Sequence, residues 1–156
     1  MKEIQLTKGV STLVDDWNYD WLNQWKWYAK ESGNLFYASR IEIINGKRIL
    51  ISMHRIINKT PINLECDHID HNTLNNQEYN LRNATDTQNA INRIYPTTTG
   101  YRGVHFSKYH NKFQAQILIK GKKKHLGYFN NPIEAAKKYD IAARKYHGEF
   151  AIVNFI

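Results

Sequence analysis

Alternating apolar and polar positions predict strands near the front of the chain. Residues 24–53 alternate in this way, and Asn45-Gly46 lies between the segments RIEII and KRILI as a two-residue hairpin turn signal. Residues 14–22 predict a short helix. Four tryptophans in this region favour a packed core, with base stacking as the alternative: Trp17, Trp21, Trp25 and Trp27. We therefore expect residues 1–60 to form a small mixed layer.

The next pattern is a strand, a long polar loop, a second strand and a helix. Residues 64–68 and 81–84 predict the two strands, with Asn and Asp residues between them. Thr85 and Gln88 have the spacing of a capping box, which predicts a helix start. Asn89 then lies on the first turn of that helix. From there it can point back at the first strand.

Beyond residue 96 the chain changes to three strands followed by one helix. We expect strands at 101–106, 113–119 and 124–129, and a helix at 132–147 that ends at Gly148. Four apolar residues share one face of the second strand: Phe113, Ala115, Ile117 and Ile119. This pattern predicts a three-stranded antiparallel sheet packed on one helix.

The whole chain is therefore expected to be α+β, with two modules. We expect the first at residues 1–95, a linker at 96–100 marked by PTTTG, and the second at residues 101–156. No apolar run approaches about 18 residues, so we expect no membrane segment and no secreted protein. The single cysteine, Cys66, excludes an internal disulfide and fits a reducing compartment such as the cytoplasm.

The net charge of +8 is concentrated at one end of the chain. Residues 1–96 hold 11 basic and 11 acidic side chains, whereas residues 97–156 hold 11 basic side chains against three acidic ones. Such a concentration favours binding to phosphates, with a merely basic surface as the alternative.

The loop and its flanking strands carry the candidate chemistry. Asp67 and the Asn89 amide offer oxygen ligands that suit Mg²⁺ or Mn²⁺, and the neighbouring imidazole of His68 can take a proton from water. A polar loop cap without metal is the alternative for these residues. A zinc site using Cys66, His68 and His71 is disfavoured, because structural zinc needs four ligands and usually more cysteine.

The motif DHID-N-LNN-NLR-T-QN-NR, within residues 53–93, resembles the HNH nucleases, especially the phage and intron homing endonucleases. The resemblance implies a ββα-metal core in which His68 is the general base and Asp67 binds one divalent ion. Asn89 falls on the second metal ligand, and Asn80 on the residue that ties the loop together. One position departs from the family: His71 stands where a glycine is usual, and glycine would tolerate a left-handed backbone more readily.

The motifs YRGV-H, KF-A-I, LGYF, EAA-YD-AA and HGEFA-NF, within residues 100–155, resemble the APETALA/ethylene-response-factor DNA-binding domain. The resemblance implies that the three-stranded sheet enters the major groove. Arg102 matches a DNA-contacting arginine of that family, and Lys123 replaces an arginine conservatively. Base reading is expected of Gln114 or Gln116. The other positions expected to contact DNA, with these two, are His105, Tyr109, Gln114, Gln116, Leu118 and His125.

Together these features predict a metal-dependent endonuclease that cuts double-stranded DNA. The resemblance implies a site-specific homing or mobile endonuclease of phage type, active in the host cytoplasm. We expect a monomer with one Mg²⁺ or Mn²⁺ ion that nicks one strand per active site. The alternatives are a non-catalytic, sequence-specific DNA-binding regulator on a degenerate nuclease scaffold and an RNA-binding protein.

Overall fold

The computed structural model describes residues 1–156 and divides into two compact units, Met1–Asp86 and Thr87–Ile156. Both helices and strands occur, so the expected mixed α+β class is confirmed. This division precedes the linker predicted at 96–100. The module boundaries drawn from the sequence therefore stay a prediction. None of the helices combines the length and apolar character that a membrane-spanning helix needs.

The first unit is built from short antiparallel sheets and two short helices. Its elements are β1 (Lys2–Gln5), β2 (Ser11–Val14), α1 (Asp16–Leu22), β3 (Tyr28–Ser32), β4 (Leu35–Ile44), β5 (Lys47–Ser52), α2 (Met53–Ile57), β6 (Glu65–His68) and β7 (Leu81–Ala84). The strands form the sheets β1-β2, β3-β4-β5 and β6-β7. At the β4-β5 turn, Asn45 and Gly46 have φ of 51° and 73°, which confirms the predicted hairpin.

The core of this unit forms where alternate strand residues turn inward. In β2 the side chains of Thr12 and Val14 are buried, and Val14 belongs to a core cluster with Leu22 of α1 and Met53 of α2. The tryptophans divide between core and surface, since Trp27 is 4% exposed and Trp17 is 68% exposed. The expected aromatic core is therefore only partly present.

The second unit contains a three-stranded sheet covered by a long helix. Its elements are β8 (Val104–Ser107), β9 (Lys112–Ile119), β10 (Lys122–Phe129) and α4 (Pro132–His147), and α3 (Asp86–Ile91) crosses its start. The strand order is β10-β9-β8, all antiparallel. β8 begins later than the predicted residue 101, because Gly103, with φ of 74°, interrupts extended backbone.

Helix α4 begins and ends at the expected signals. The side chain of Asn131 accepts a hydrogen bond from the Ile133 amide at 2.8 Å, and Gly148 ends the helix with φ of 56°. Ala136, Tyr139 and Ala143 pack on the sheet with Ala115 and Ile117 of β9. The 3-4-3 spacing of apolar residues along the helix also predicts Tyr146 on this packed face, but its side chain is 39% exposed.

Candidate functional site

The β6-β7 pair presents the candidate catalytic residues. Antiparallel register sets Asp67 opposite Arg82 and His68 opposite Leu81. Directly opposite residues share one face of a sheet, and consecutive residues alternate between faces. Asp67 and His68 therefore extend to different sides of β6, and both are 6% exposed.

Asp67 forms an ion pair across the two strands. Nε and Nη2 of Arg82 each lie 2.8 Å from Oδ2 of Asp67. The guanidinium of Arg82 thus fixes the carboxylate that precedes the candidate base in sequence.

The imidazole of His68 lies in an enclosed polar and aromatic pocket. Its Nε2 is 3.0 Å from Oδ1 of Asn76. The ring of His54 packs 5.1 Å from the His68 ring, centroid to centroid, and that of Tyr37 packs at 6.3 Å. These neighbours restrict the orientation of the ring.

Burial shifts both histidines of this pocket toward the neutral form. It lowers the pKa of His68, although the hydrogen bond with Asn76 and the carboxylates of Asp70 and Asp67 act in the opposite direction. Burial lowers the pKa of His54 to about 3, and the nearby His68 ring and Arg55 guanidinium act in the same direction. A neutral imidazole is the form that can accept a proton.

The loop that follows β6 is held by a network centred on Asn80. Nδ2 of Asn80 donates to Oδ1 of Asp70 and to the carbonyl of Asn75, both at 2.8 Å. Its Oδ1 accepts from the Asp70 amide at 2.9 Å, and its carbonyl accepts from the Ile69 amide at 2.8 Å. Asn80 thus joins the end of the loop to its beginning, directly after His68.

His71 lies in this loop with φ of 65°. This is the left-handed conformation that a glycine would adopt with less strain. The histidine therefore preserves the backbone conformation that a glycine at this position would permit.

The N-terminal layer forms hydrogen bonds with the same loop, and the sequence patterns did not predict this contact. The amide of Leu13 donates to the carbonyl of Leu74 at 2.8 Å, and the amide of Asn76 donates to the carbonyl of Leu13 at 2.8 Å. Asp15 accepts from the Glu78 amide at 2.8 Å and from Nε2 of Gln77 at 3.2 Å. No local sequence pattern connects residues about sixty positions apart. The only signal in the sequence is that both segments contain Asp or Asn side chains, which can form hydrogen bonds.

The predicted metal ligands lie on elements of different units. Asp67 lies in β6 in the first unit, and Asn89 lies half-buried in α3 in the second unit. Their shared role stays a prediction. No group of three or more His, Cys, Asp and Glu side chains arranged to hold a metal ion is present. Cys66 is buried, with Sγ 3.5 Å from the His54 carbonyl.

The outer face of the C-terminal sheet carries most residues predicted to contact DNA. His105 lies opposite Gln114, His125 opposite Gln116, and Lys123 opposite Leu118. Diagonal contacts join Gln116 Nε2 to His105 Nε2 at 2.5 Å and Gln114 Nε2 to His125 Nδ1 at 3.2 Å. Tyr109, in the β8-β9 turn, is 92% exposed.

Arg102 is engaged with the protein itself. Its Nε donates to Oη of Tyr139 at 3.0 Å, and its Nη1 and Nη2 donate to the carbonyls of Arg93 and Ile91, both at 2.7 Å. The sequence predicted a DNA contact for this residue. These hydrogen bonds connect residues 91–93 to the sheet-and-helix part of the second unit. Contact of Arg102 with DNA stays a prediction.

Comparison with known proteins gives two relatives, and no family model matches the chain. The chain is 32% identical to an uncharacterized HNH endonuclease of Acanthamoeba polyphaga mimivirus over 155 residues, which cover 96% of this chain and 77% of the relative. It is 37% identical to an AP2/ERF and B3 domain-containing transcription repressor of Arabidopsis thaliana over 73 residues, which cover 45% of this chain and 20% of the relative.

Proposed function

We propose that this chain, which belongs to the HNH endonuclease family, hydrolyses phosphodiester bonds in double-stranded DNA with one bound Mg²⁺ or Mn²⁺ ion. The observation that carries the proposal is the buried imidazole of His68, held by Asn76 on the same strand as the buried Asp67 carboxylate. On this proposal, β6, β7 and α3 form the ββα-metal core of the family. The role of the enzyme would be that of a homing or mobile endonuclease.

His68 would act as the general base. Burial keeps its imidazole unprotonated near neutral pH, which allows it to take a proton from the attacking water. The loop held by Asn80 fixes the backbone directly after His68, so the ring does not have to be ordered when DNA arrives. The products would carry 5′-phosphate and 3′-hydroxyl ends.

Asp67 and Asn89 would supply the protein ligands for the ion. Carboxylate and amide oxygens are the donors that Mg²⁺ and Mn²⁺ prefer, and water and phosphate oxygens would complete the coordination. Arg82 holds Oδ2 of Asp67 through Nε and Nη2 and so fixes the orientation of this carboxylate. When bound, such an ion stabilises charge on the leaving oxygen.

The basic second unit would hold the DNA. Its outer sheet face combines Lys123 with Gln114 and Gln116, side chains that suit phosphates and base edges respectively. One active site per monomer would nick one strand of the duplex.

A plasmid assay tests this function. Wild-type protein should convert supercoiled plasmid to the nicked form only with Mg²⁺ or Mn²⁺, and His68→Ala should slow cleavage by at least about 100-fold while retaining DNA binding. His71→Ala, a histidine in the same loop outside the pocket, is the matched control and should still cut.

The second candidate function is a non-catalytic DNA-binding regulator. The similarity of 73 residues of the chain to a plant protein named as a transcription repressor favours it. Duplex binding by wild type and His68→Ala, with cleavage by neither under any divalent metal, would support the regulator. Preference for RNA hairpins over duplex DNA in a competition gel shift would contradict both functions.

A further inference from the structure

We infer that Thr12 and Asn76 are positioning residues that select which imidazole nitrogen of His68 accepts the proton, an inference that rests on the proposed function. Both side chains are fully buried, at 0% exposure. They form a hydrogen-bonded chain from the N-terminal layer to His68, and the direction of each bond in this chain follows from the chemistry of its partners.

This chain of hydrogen bonds begins at the carbonyl of Leu74, which can only accept hydrogen bonds. The hydroxyl of Thr12 lies 2.8 Å from this oxygen and therefore donates its proton to it. The Thr12 oxygen is then an acceptor for Asn76, which lies 2.7 Å away. Only the NH₂ end of the Asn76 amide can fill that position, because the amide oxygen has no proton to donate.

The orientation of the Asn76 amide then determines the protonation of His68. The opposite end of the amide, Oδ1, lies 3.0 Å from Nε2 of His68. An amide oxygen only accepts, so Nε2 must carry the imidazole proton. In the neutral ring the lone pair is consequently on Nδ1, which makes Nδ1 the proton-accepting atom.

Neighbouring side chains hold the hydrogen bonds among Thr12, Asn76 and His68 in one arrangement. Nδ2 of Asn76 also lies 3.8 Å from Sδ of Met53, a thioether that can only accept a hydrogen bond, so this contact favours the same orientation of the amide. The ring of His54 packs against that of His68 at 5.1 Å between centroids and limits rotation of the imidazole. The N-terminal layer thus has a specific task, since Thr12 on β2 sets the chemistry of a residue on β6.

Nitrogen NMR of the metal-free wild-type protein, labelled with ¹⁵N-histidine, tests the assignment directly. The His68 signals among the seven histidines are identified by their loss in His68→Gln. We expect Nε2 to show the shift of a protonated nitrogen and Nδ1 that of an unprotonated one. The opposite tautomer would overturn the inference, and this result does not depend on any positioning variant folding.

Three variants link the tautomer to catalysis. Thr12→Val removes the hydroxyl at nearly constant volume, so the amide loses its orienting partner. We expect a mixed tautomer and a decrease in kcat of about 10- to 100-fold with KM little changed. Thr12→Ser keeps the hydroxyl and should therefore keep both the His68 tautomer and kcat at their wild-type values. The matched control is Thr73→Val, which removes another buried threonine hydroxyl of this region, one that donates to the Phe36 carbonyl at 2.6 Å, and it should leave both unchanged.

The outcomes separate this inference from the proposed function. Expected tautomers in a wild-type protein that cuts no DNA would contradict the function but leave the hydrogen-bonded chain intact. Cleavage by wild type together with an unchanged tautomer and kcat in folded Thr12→Val would refute the positioning role. A loss of kcat without a change of tautomer would refute it as well.

Discussion

Arg82 holds Oδ2 of Asp67 with two donors, Nε and Nη2, each at 2.8 Å. The two residues are directly opposite in the β6-β7 register, so the pair follows from strand pairing itself. The side chains are 12% and 7% exposed, which makes the pair largely buried. It orients the carboxylate that we propose as a metal ligand.

We expect Arg82→Met to destabilise the protein by about 3 kcal/mol, because it leaves a buried carboxylate without its cationic partner. Arg48→Met, at an exposed position of β5, should change the free energy of unfolding by less than about 0.5 kcal/mol. Urea unfolding measures both. Equal effects would show that the pair contributes no more than a surface charge.

The hydrogen bonds that Asp70 accepts in the loop should make the free energy of unfolding depend on pH. Partial burial raises the pKa of Asp70, but hydrogen bonds from Asn75, Asn72 and Asn80 outweigh it and lower the pKa below 3.8. Because the folded pKa lies below the unfolded one, the stabilisation is complete above about pH 3.8 and is lost as pH falls through the folded pKa.

Asp70→Asn should therefore destabilise the protein at neutral pH by less than about 1 kcal/mol, because solvent screens part of the effect at this exposed side chain, and the difference from wild type should shrink below pH 3.8. Thermal unfolding across pH 2.5 to 7 (roughly the range set by the carboxyl pKa) checks this. Asp20→Asn, on the exposed surface of α1, is the control. A difference that stays constant with pH would exclude the carboxylate as the cause.

His71→Gly should stabilise the protein by about 0.5 kcal/mol, since relief of left-handed strain slightly exceeds the entropy that glycine loses on folding. His71→Val should instead destabilise it by about 1 to 2 kcal/mol, because a branched side chain fits this conformation poorly. Denaturant midpoints compare the two. The reverse order would mean that the His71 side chain makes contacts that outweigh the strain.

Gly103 is required by close packing as well as by backbone conformation. An added Cβ would lie 2.0 Å from Cδ2 of Tyr139, whereas at Gly100 it would meet nothing within 4 Å, and both glycines have positive φ. We expect Gly103→Ala to cost about 3 kcal/mol and Gly100→Ala about 1 kcal/mol. Differential scanning calorimetry would reveal the difference, and similar costs would contradict the proximity of Tyr139.

The outer sheet face should be the DNA-binding surface of the second unit. Lys123→Ala should reduce the salt dependence of DNA affinity by about one unit of slope, while Gln116→Ala should narrow the discrimination between sites by about 1 to 3 kcal/mol. Lys137→Ala removes an equal charge from the exposed surface of α4 and should change neither. Fluorescence anisotropy at several salt concentrations provides the comparison, and a larger effect at Lys137 would indicate that the helix binds DNA instead.

Local sequence patterns suffice to predict which segments become strands and helices, because alternation, turn residues and caps act over a few neighbouring positions. Asn45-Gly46, the alternating face of β9 and the Asn131 cap are examples of such local signals. The motif around His68 likewise indicates the HNH family from the amino-acid sequence alone.

Tertiary structure decided which side chains meet across long separations. Thr12 reaches Asn76 and so His68 only because β2 packs beside the loop, and no local pattern records that packing. Arg102 shows the same limit, since its motif suggested DNA while its guanidinium binds Tyr139 and two carbonyls. Contacts between distant residues depend on how whole elements pack together, and short-range periodicity carries no information about that packing.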